Sequence, residues 1–145
     1  MGVAARISLV LTSALFLAVA PASAQEEAPT SSLWLELNAV QPSEKGCRLT
    51  FVVGNRLPGD IERVAFELAL FGKAGSVDRL AVLAFQKMPK GKTKVSRFDI
   101  AGLDCATLGR VLVNEATECV GDGIAPADCM RRLSTATKAG VEFGT

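Results

Sequence analysis

Apolar and polar side chains alternate with a period of two along much of this chain. Leu33, Leu35 and Leu37 alternate with Trp34, Glu36 and Asn38, the pattern of a strand with one buried face. After a turn cluster at Gln41–Gly46, Cys47, Leu49, Phe51 and Val53 face one way while Arg48, Thr50 and Val52 face the other. Asn55–Asp60 (NRLPGD) breaks the pattern with proline and glycine. Val64, Phe66, Leu68 and Leu70 then alternate with Ala65, Glu67, Ala69 and Phe71. Alanine and leucine also suit a helix, but the strict alternation and the Gly72–Ser76 turn that follows predict a strand.

Val77–Phe85 is apolar on both parities after Arg79, which predicts a strand covered on both sides or lying at an edge. A turn at Met88–Gly91 leads into Lys92–Ile100. There Val95, Phe98 and Ile100 do not share one parity, and the mismatch predicts a bulge or a strand end near Arg97. Gly102–Thr107 reads as a loop holding Cys105, Leu108–Asn114 as a sixth strand, and Glu115–Pro126 as irregular. Ala127–Thr137 reads as a short helix, with Pro126 at its first turn and Cys129, Met130 and Leu133 on one face. Val141 and Phe143 add a last short strand. The pattern predicts an all-β antiparallel sandwich of about seven strands with one short C-terminal helix.

The first 24 residues follow a different rule. Met1–Arg6 carries one positive side chain, and Ile7–Ala20 is apolar except for Ser8, Thr12 and Ser13. Pro21-Ala22-Ser23-Ala24 then supplies the small residues that a signal peptidase reads. Cleavage is expected after Ala24. The apolar run of about 14 residues is short of the roughly 20 that a membrane span needs, so the mature form is expected to carry no transmembrane span. A lone Arg6 favours the general secretory route over the twin-arginine route, and Gln25 in place of cysteine argues against lipid attachment. The organisation is thus a signal peptide at 1–24, a flexible polar leader at 25–32 (QEEAPTSS), and one domain at 33–145.

Charge adds little. The chain has 16 Lys and Arg against 15 Asp and Glu, and Arg6 is the only charged side chain in the signal. The mature domain is therefore balanced and has no overall field to attract nucleic acid. Cysteine adds more. Cys47, Cys105, Cys119 and Cys129 are an even set in an exported chain, and read as two disulfides. Neighbours in sequence meet easily, which favours Cys119–Cys129 and leaves Cys47–Cys105. Zinc is the rival, but there is neither a C-x-x-C nor a histidine. No cofactor is expected.

LWLELN (33–38), CRLTFVVGN (47–55), VAFELALF (64–71), GSVDRLAVLAF (75–85), RFDIAGLDC (97–105) and RVLVNEATEC (110–119) together resemble one group of exported proteins. These are small uncharacterised periplasmic proteins of alphaproteobacteria, commonly labelled Tat pathway signal sequence domain proteins. The resemblance covers nearly all of the mature chain. It implies a periplasmic immunoglobulin-like β-sandwich and brings no catalytic residues with it. The missing arginine pair departs from the label and bears on the export route, not on the compartment.

Histidine and tyrosine are absent, which excludes Ser-His-Asp and Cys-His chemistry. No G-x-S-x-G elbow occurs, and the mature chain lacks S-x-x-K. Glu115 and Glu118 could form a hydrolytic carboxylate pair, though a position near a turn favours plain solvation. Gly121-Asp122-Gly123 lacks the repeated acidic ligands of a calcium loop. Lys87, Lys90, Lys92, Lys94 and Arg97 crowd one turn and strand. They are either a basic rim for an anionic partner or edge-strand protection against sheet-to-sheet pairing. Trp34, the sole tryptophan, lies opposite the leucine face of its strand as an interface anchor, or packs under the leader or the C-terminal helix. The expectation is a periplasmic, non-catalytic binding or accessory module that engages an unidentified envelope protein. The alternatives are a binder of anionic ligands or membrane surfaces, and an unrecognised hydrolase.

Overall fold

The computed structural model describes residues 1–2 and 32–145. The signal-peptide expectation and all of the leader but Ser32 lie outside the described residues. Eight strands are assigned among them: β1 Leu33–Ser43, β2 Gly46–Asn55, β3 Ile61–Gly72, β4 Val77–Phe85, β5 Thr93–Ala101, β6 Leu108–Gly121, β7 Leu133–Thr137 and β8 Glu142–Gly144. A 3-10 turn at Cys105–Thr107 precedes β6, and helix α1 at Asp128–Arg131 precedes β7.

The strands form two four-stranded sheets. Sheet A has the order β5-β2-β1-β7 and sheet B the order β4-β3-β6-β8. Their leucine, valine and phenylalanine faces meet. Leu33, Leu35, Leu37, Leu49, Phe51 and Val53 from sheet A, with Phe66, Leu68, Leu70, Val111 and Val113 from sheet B, are all buried. Burying each such side chain is worth roughly 1.5–3 kcal/mol. Phe51 sits between the sheets, with the rings of Phe85, Phe98 and Phe143 at 5.9, 6.2 and 5.7 Å. Phe85 and Phe98 themselves meet edge to face at 5.1 Å, joining the edge strands β4 and β5 of opposite sheets.

The turn expected at Gln41–Gly46 is only Glu44-Lys45, because β1 runs on to Ser43 and pairs with the start of β2. Three larger expectations need correction. First, the helix predicted over Ala127–Thr137 is helical only at Asp128–Arg131, and Leu133–Thr137 is β7, paired in parallel with β1. β1 would otherwise present an unpaired edge, and the Leu33 N–H donates to Arg132 O just where the helix stops. β8 is likewise parallel to β6, so the sandwich is mixed and not wholly antiparallel. Second, β6 runs on through Glu115 to Gly121, its register against β3 slipping at several points. The irregularity expected there is a bulged strand. Third, β5 pairs with β2 without any register shift. Phe98 and Ile100 face the core, and Val95 simply faces out, 63% exposed.

Cys47 bonds Cys105 and Cys119 bonds Cys129, with Cα separations of 5.0 and 5.9 Å. The first ties β2 to the 3-10 turn ahead of β6. The second ties the end of β6 to α1, and so delivers the chain to β7. Inside that second loop the buried Asp128 carboxylate accepts from the Ala125 N–H at 2.9 Å and from Arg131 Nη2 at 2.6 Å. The Ala125 amide first, and then the Arg131 guanidinium, hold its pKa below the ordinary 3.8.

Replacing both cysteines of a pair by alanine is expected to destabilise the fold by roughly 4 kcal/mol for Cys47/Cys105 and roughly 3 kcal/mol for Cys119/Cys129 on loop entropy alone. Guanidinium unfolding measures both, and an unchanged midpoint for either pair would contradict its bracing role. Asp128, with a depressed folded pKa, contributes stability that is whole above its unfolded value and is lost as pH falls through the folded one. Asp128→Asn should therefore unfold less steeply with acid below about pH 4 than the parent chain does. Circular dichroism along an acid titration reads the difference, and superimposable curves would count against it.

Candidate functional site

Two surfaces carry the candidate residues: the loops at one end of the sandwich, and the outer face of sheet B with its free edge. The loop end is organised by Asn55, which is fully buried at the end of β2. Its Nδ2 donates to Met88 O at 2.8 Å and to Gly59 O at 3.0 Å, while its Oδ1 accepts the Leu57 N–H at 2.9 Å. Its backbone N–H donates to Lys92 O, and its carbonyl accepts from the Gly91 N–H. One side chain thus fixes the loop after β2 and the lysine-bearing loop before β5. Sequence reasoning treated Asn55 only as the start of a break. The available signal was the tendency of asparagine to bond the backbone two residues on.

The lysines are less available than their number implies. Lys87 Nζ lies 2.7 Å from Glu62 Oε1, and that hydrogen bond, followed by the carboxylate charge, raises its pKa. Lys94 Nζ donates to the Lys87 carbonyl at 2.6 Å. The Lys90 N–H donates to Asp60 Oδ1 at 2.8 Å. The ion pairs among the described residues leave out the side chains of Lys90, Lys92 and Arg97. Lys94 and Arg97 have opposite parity on β5, so Arg97 stands on the outer face of sheet A, opposite Thr50. The five cations are therefore not one patch.

Trp34 is half-buried on that same outer face, opposite Gly54 of β2 and Ser134 of β7. A Cβ placed on Gly54 would lie 3.5 Å from Trp34 Cε3 and 3.6 Å from Thr93 Oγ1. The ring thus rests across a glycine between two strands. At the opposite end of these strands, a surface cavity of about 590 Å³ by the β1–β2 turn is lined by Lys45, Arg48 and Asp99 among others. Arg48 spans Asp99 with two bonds of 2.9 and 3.1 Å, which consumes both charges.

The carboxylates do not assemble a hydrolytic pair. Glu118 is ion-paired to Arg63. Glu115 stands opposite Glu67 of β3, whose Oε1 accepts from Asn114 Nδ2 at 2.7 Å. Gly121-Asp122-Gly123 is a tight turn closed by the Gly121–Ile124 bridge. Among the described residues no three metal-ligating side chains gather, and no helix is long and apolar enough to cross a membrane.

The feature that sequence reasoning missed is an apolar outer face on sheet B. Ala65 and Ala69 of β3 form its floor, each 5% exposed. Leu80 and Val82 of β4 rise beside them, 56% and 57% exposed, opposite Ala69 and Glu67. Leu112 of β6 flanks Ala69 on the other side. The signal lay in Val77–Phe85, apolar on both parities, but a period count cannot say which of the two faces stays in water.

The four edges of the two sheets are treated unequally. β7 and β8 are 5 and 3 residues long. β5 carries Lys94 and Arg97, and its last carbonyl, Ala101 O, accepts from Arg79 Nη1 at 2.8 Å. β4 has nine residues, and from Leu80 to Phe85 it contains no charge, glycine or proline. Short strands, lysine and capped carbonyls are the usual protection of an edge. β4 has none of these along most of its length. Comparison with known protein families, with curated proteins and with solved structures found no match to this chain.

Asn55→Ala is expected to cost about 3 kcal/mol, since it orphans the buried Met88 and Gly59 carbonyls and the Leu57 amide together. Hydrogen exchange should show the amides of residues 57–61 and 88–92 losing protection more than those of β3. A uniform loss across the chain would show that Asn55 does not act on these loops in particular.

Proposed function

We propose that this chain is an exported periplasmic protein whose immunoglobulin-like sandwich is a non-catalytic binding or accessory module. Its partner is an envelope protein, engaged on the apolar outer face of sheet B. The observation that carries this reading is the pair Leu80 and Val82, more than half exposed beside Ala69 and Glu67 of β3. Neighbouring exposed aliphatic side chains rimmed by polar residues such as Glu67 suit an interaction surface. Two disulfides suit an oxidising compartment, which supports export. The lysine-rich end is the weaker surface. Lys87 and Lys94 are already engaged, and Arg97 faces elsewhere.

A photo-crosslinking residue at Val82, introduced into the full chain in intact cells, should capture one envelope protein reproducibly. The same probe at Arg97 should not capture it. Recovery of equal mixed products from both positions would refute a dedicated surface on sheet B.

A further inference from the structure

We infer that the free edge of β4 pairs antiparallel with β4 of a second copy, joining two B sheets into one eight-stranded sheet across a two-fold axis. The inference shares Leu80 and Val82 with the envelope-partner reading but is separable from it, because strand pairing uses the backbone edge and is read by the mass of the chain alone.

The argument begins with the unequal edges. Protection is present on β5 and unnecessary on the short β7 and β8, so general solubility does not explain why β4 alone is left open. An unprotected apolar edge offers its free amides and carbonyls to another strand. If that strand is β4 itself, the contact is isologous. Each edge is then used once and the assembly closes as a dimer. The protected edges at the far sides leave nothing to extend it into a fibre.

The residue pattern of β4 is self-complementary in this arrangement. A two-fold axis perpendicular to the sheet keeps outer faces together, so residues of like parity must oppose one another. β4 is regular from Arg79 to Phe85, with a bulge at Asp78; centred on Ala81, the register sets Leu80 against the second copy's Val82 twice, with Arg79 against Leu83. Aliphatic cross-strand pairs of this kind each contribute roughly 0.2–1 kcal/mol. Like charges do not meet. A parallel in-register pairing would instead set Asp78 beside Asp78 and Arg79 beside Arg79. Within one copy Asp78 and Arg79 are already an ion pair, so this edge holds no net charge with which to select a charged strand. The matching partner is a neutral apolar strand, and a second β4 meets that description.

Sedimentation equilibrium of the mature, disulfide-intact chain tests this. A reversible doubling of mass is expected, and Val82→Lys, which crowds two ammonium groups at the seam, should return the monomer with the melting temperature the parent chain shows when diluted to its own monomer. Register is read separately. Leu80→Cys and Val82→Cys chains, mixed and mildly oxidised, should form a mixed disulfide in preference to either homodimer, since directly opposed strand residues are 4.5–5.5 Å apart and a disulfide spans that distance. A parent chain that stays monomeric up to about 1 mM, a bound of roughly −4 kcal/mol, overturns the inference while leaving the envelope-partner reading intact. A dimer that Val82→Lys does not dissociate, and that position 80 does not crosslink to position 82, overturns it as well.

Discussion

Phe51 holds the centre of sheet A against Phe85 of sheet B, and the remainder of the structure follows from that contact between two apolar faces. Phe66 reaches Phe85 at 6.0 Å, Phe98 comes in from β5, and Phe143 closes over from β8. Edge-to-face rings each add roughly 0.5–1.5 kcal/mol beyond their burial. Because the rings come from β2, β3, β4, β5 and β8, none of these five strands can slip by one residue without turning its own ring into water. The packing therefore specifies the register as well as the stability.

Once the sheets are clamped, the ends of the sandwich become the places where variation is possible, and the chain fixes both by non-local means. At one end the buried Asn55 amide fastens two loops that are more than thirty residues apart. At the other, Cys47–Cys105 anchors the turn into β6. The Cys119–Cys129 loop starts a helix of four residues and releases the chain to run beside β1. The disulfides and the asparagine do what a larger hydrophobic core would do in a longer domain.

Charge on the surface is in part neutralised pairwise. Carboxylates and guanidinium groups are largely engaged with one another, as in Arg48 with Asp99 and Arg63 with Glu118. Three of the exposed aliphatic side chains, Val77, Leu80 and Val82, sit on β4. An edge strand that is long, apolar and uncharged along two-thirds of its length is an open hydrogen-bonding template. Proteins that are not going to use such an edge usually disguise it.

Much of this was legible in the sequence. Period-two alternation located β2, β3 and the first half of β1, because each has one face in the core and side chains must alternate across a strand. The disulfide pairing followed from spacing and parity of count. What alternation could not reveal was decided by neighbours far away in the chain. Leu133–Thr137 has the composition of a helix end, yet it is a strand because β1 supplies an open row of backbone partners. Val95 and Val82 are apolar and exposed, and only the arrangement of sheets shows that their faces meet no second layer. The lysine cluster looked like one patch because its members are close in sequence, but parity on β5 sends Arg97 to the opposite face from Lys94. Local periodicity, which depends on residues two apart, was written in the chain itself. Edge, face and partner depend on which strands come to lie alongside, and those are choices that only the folded packing of distant segments can make.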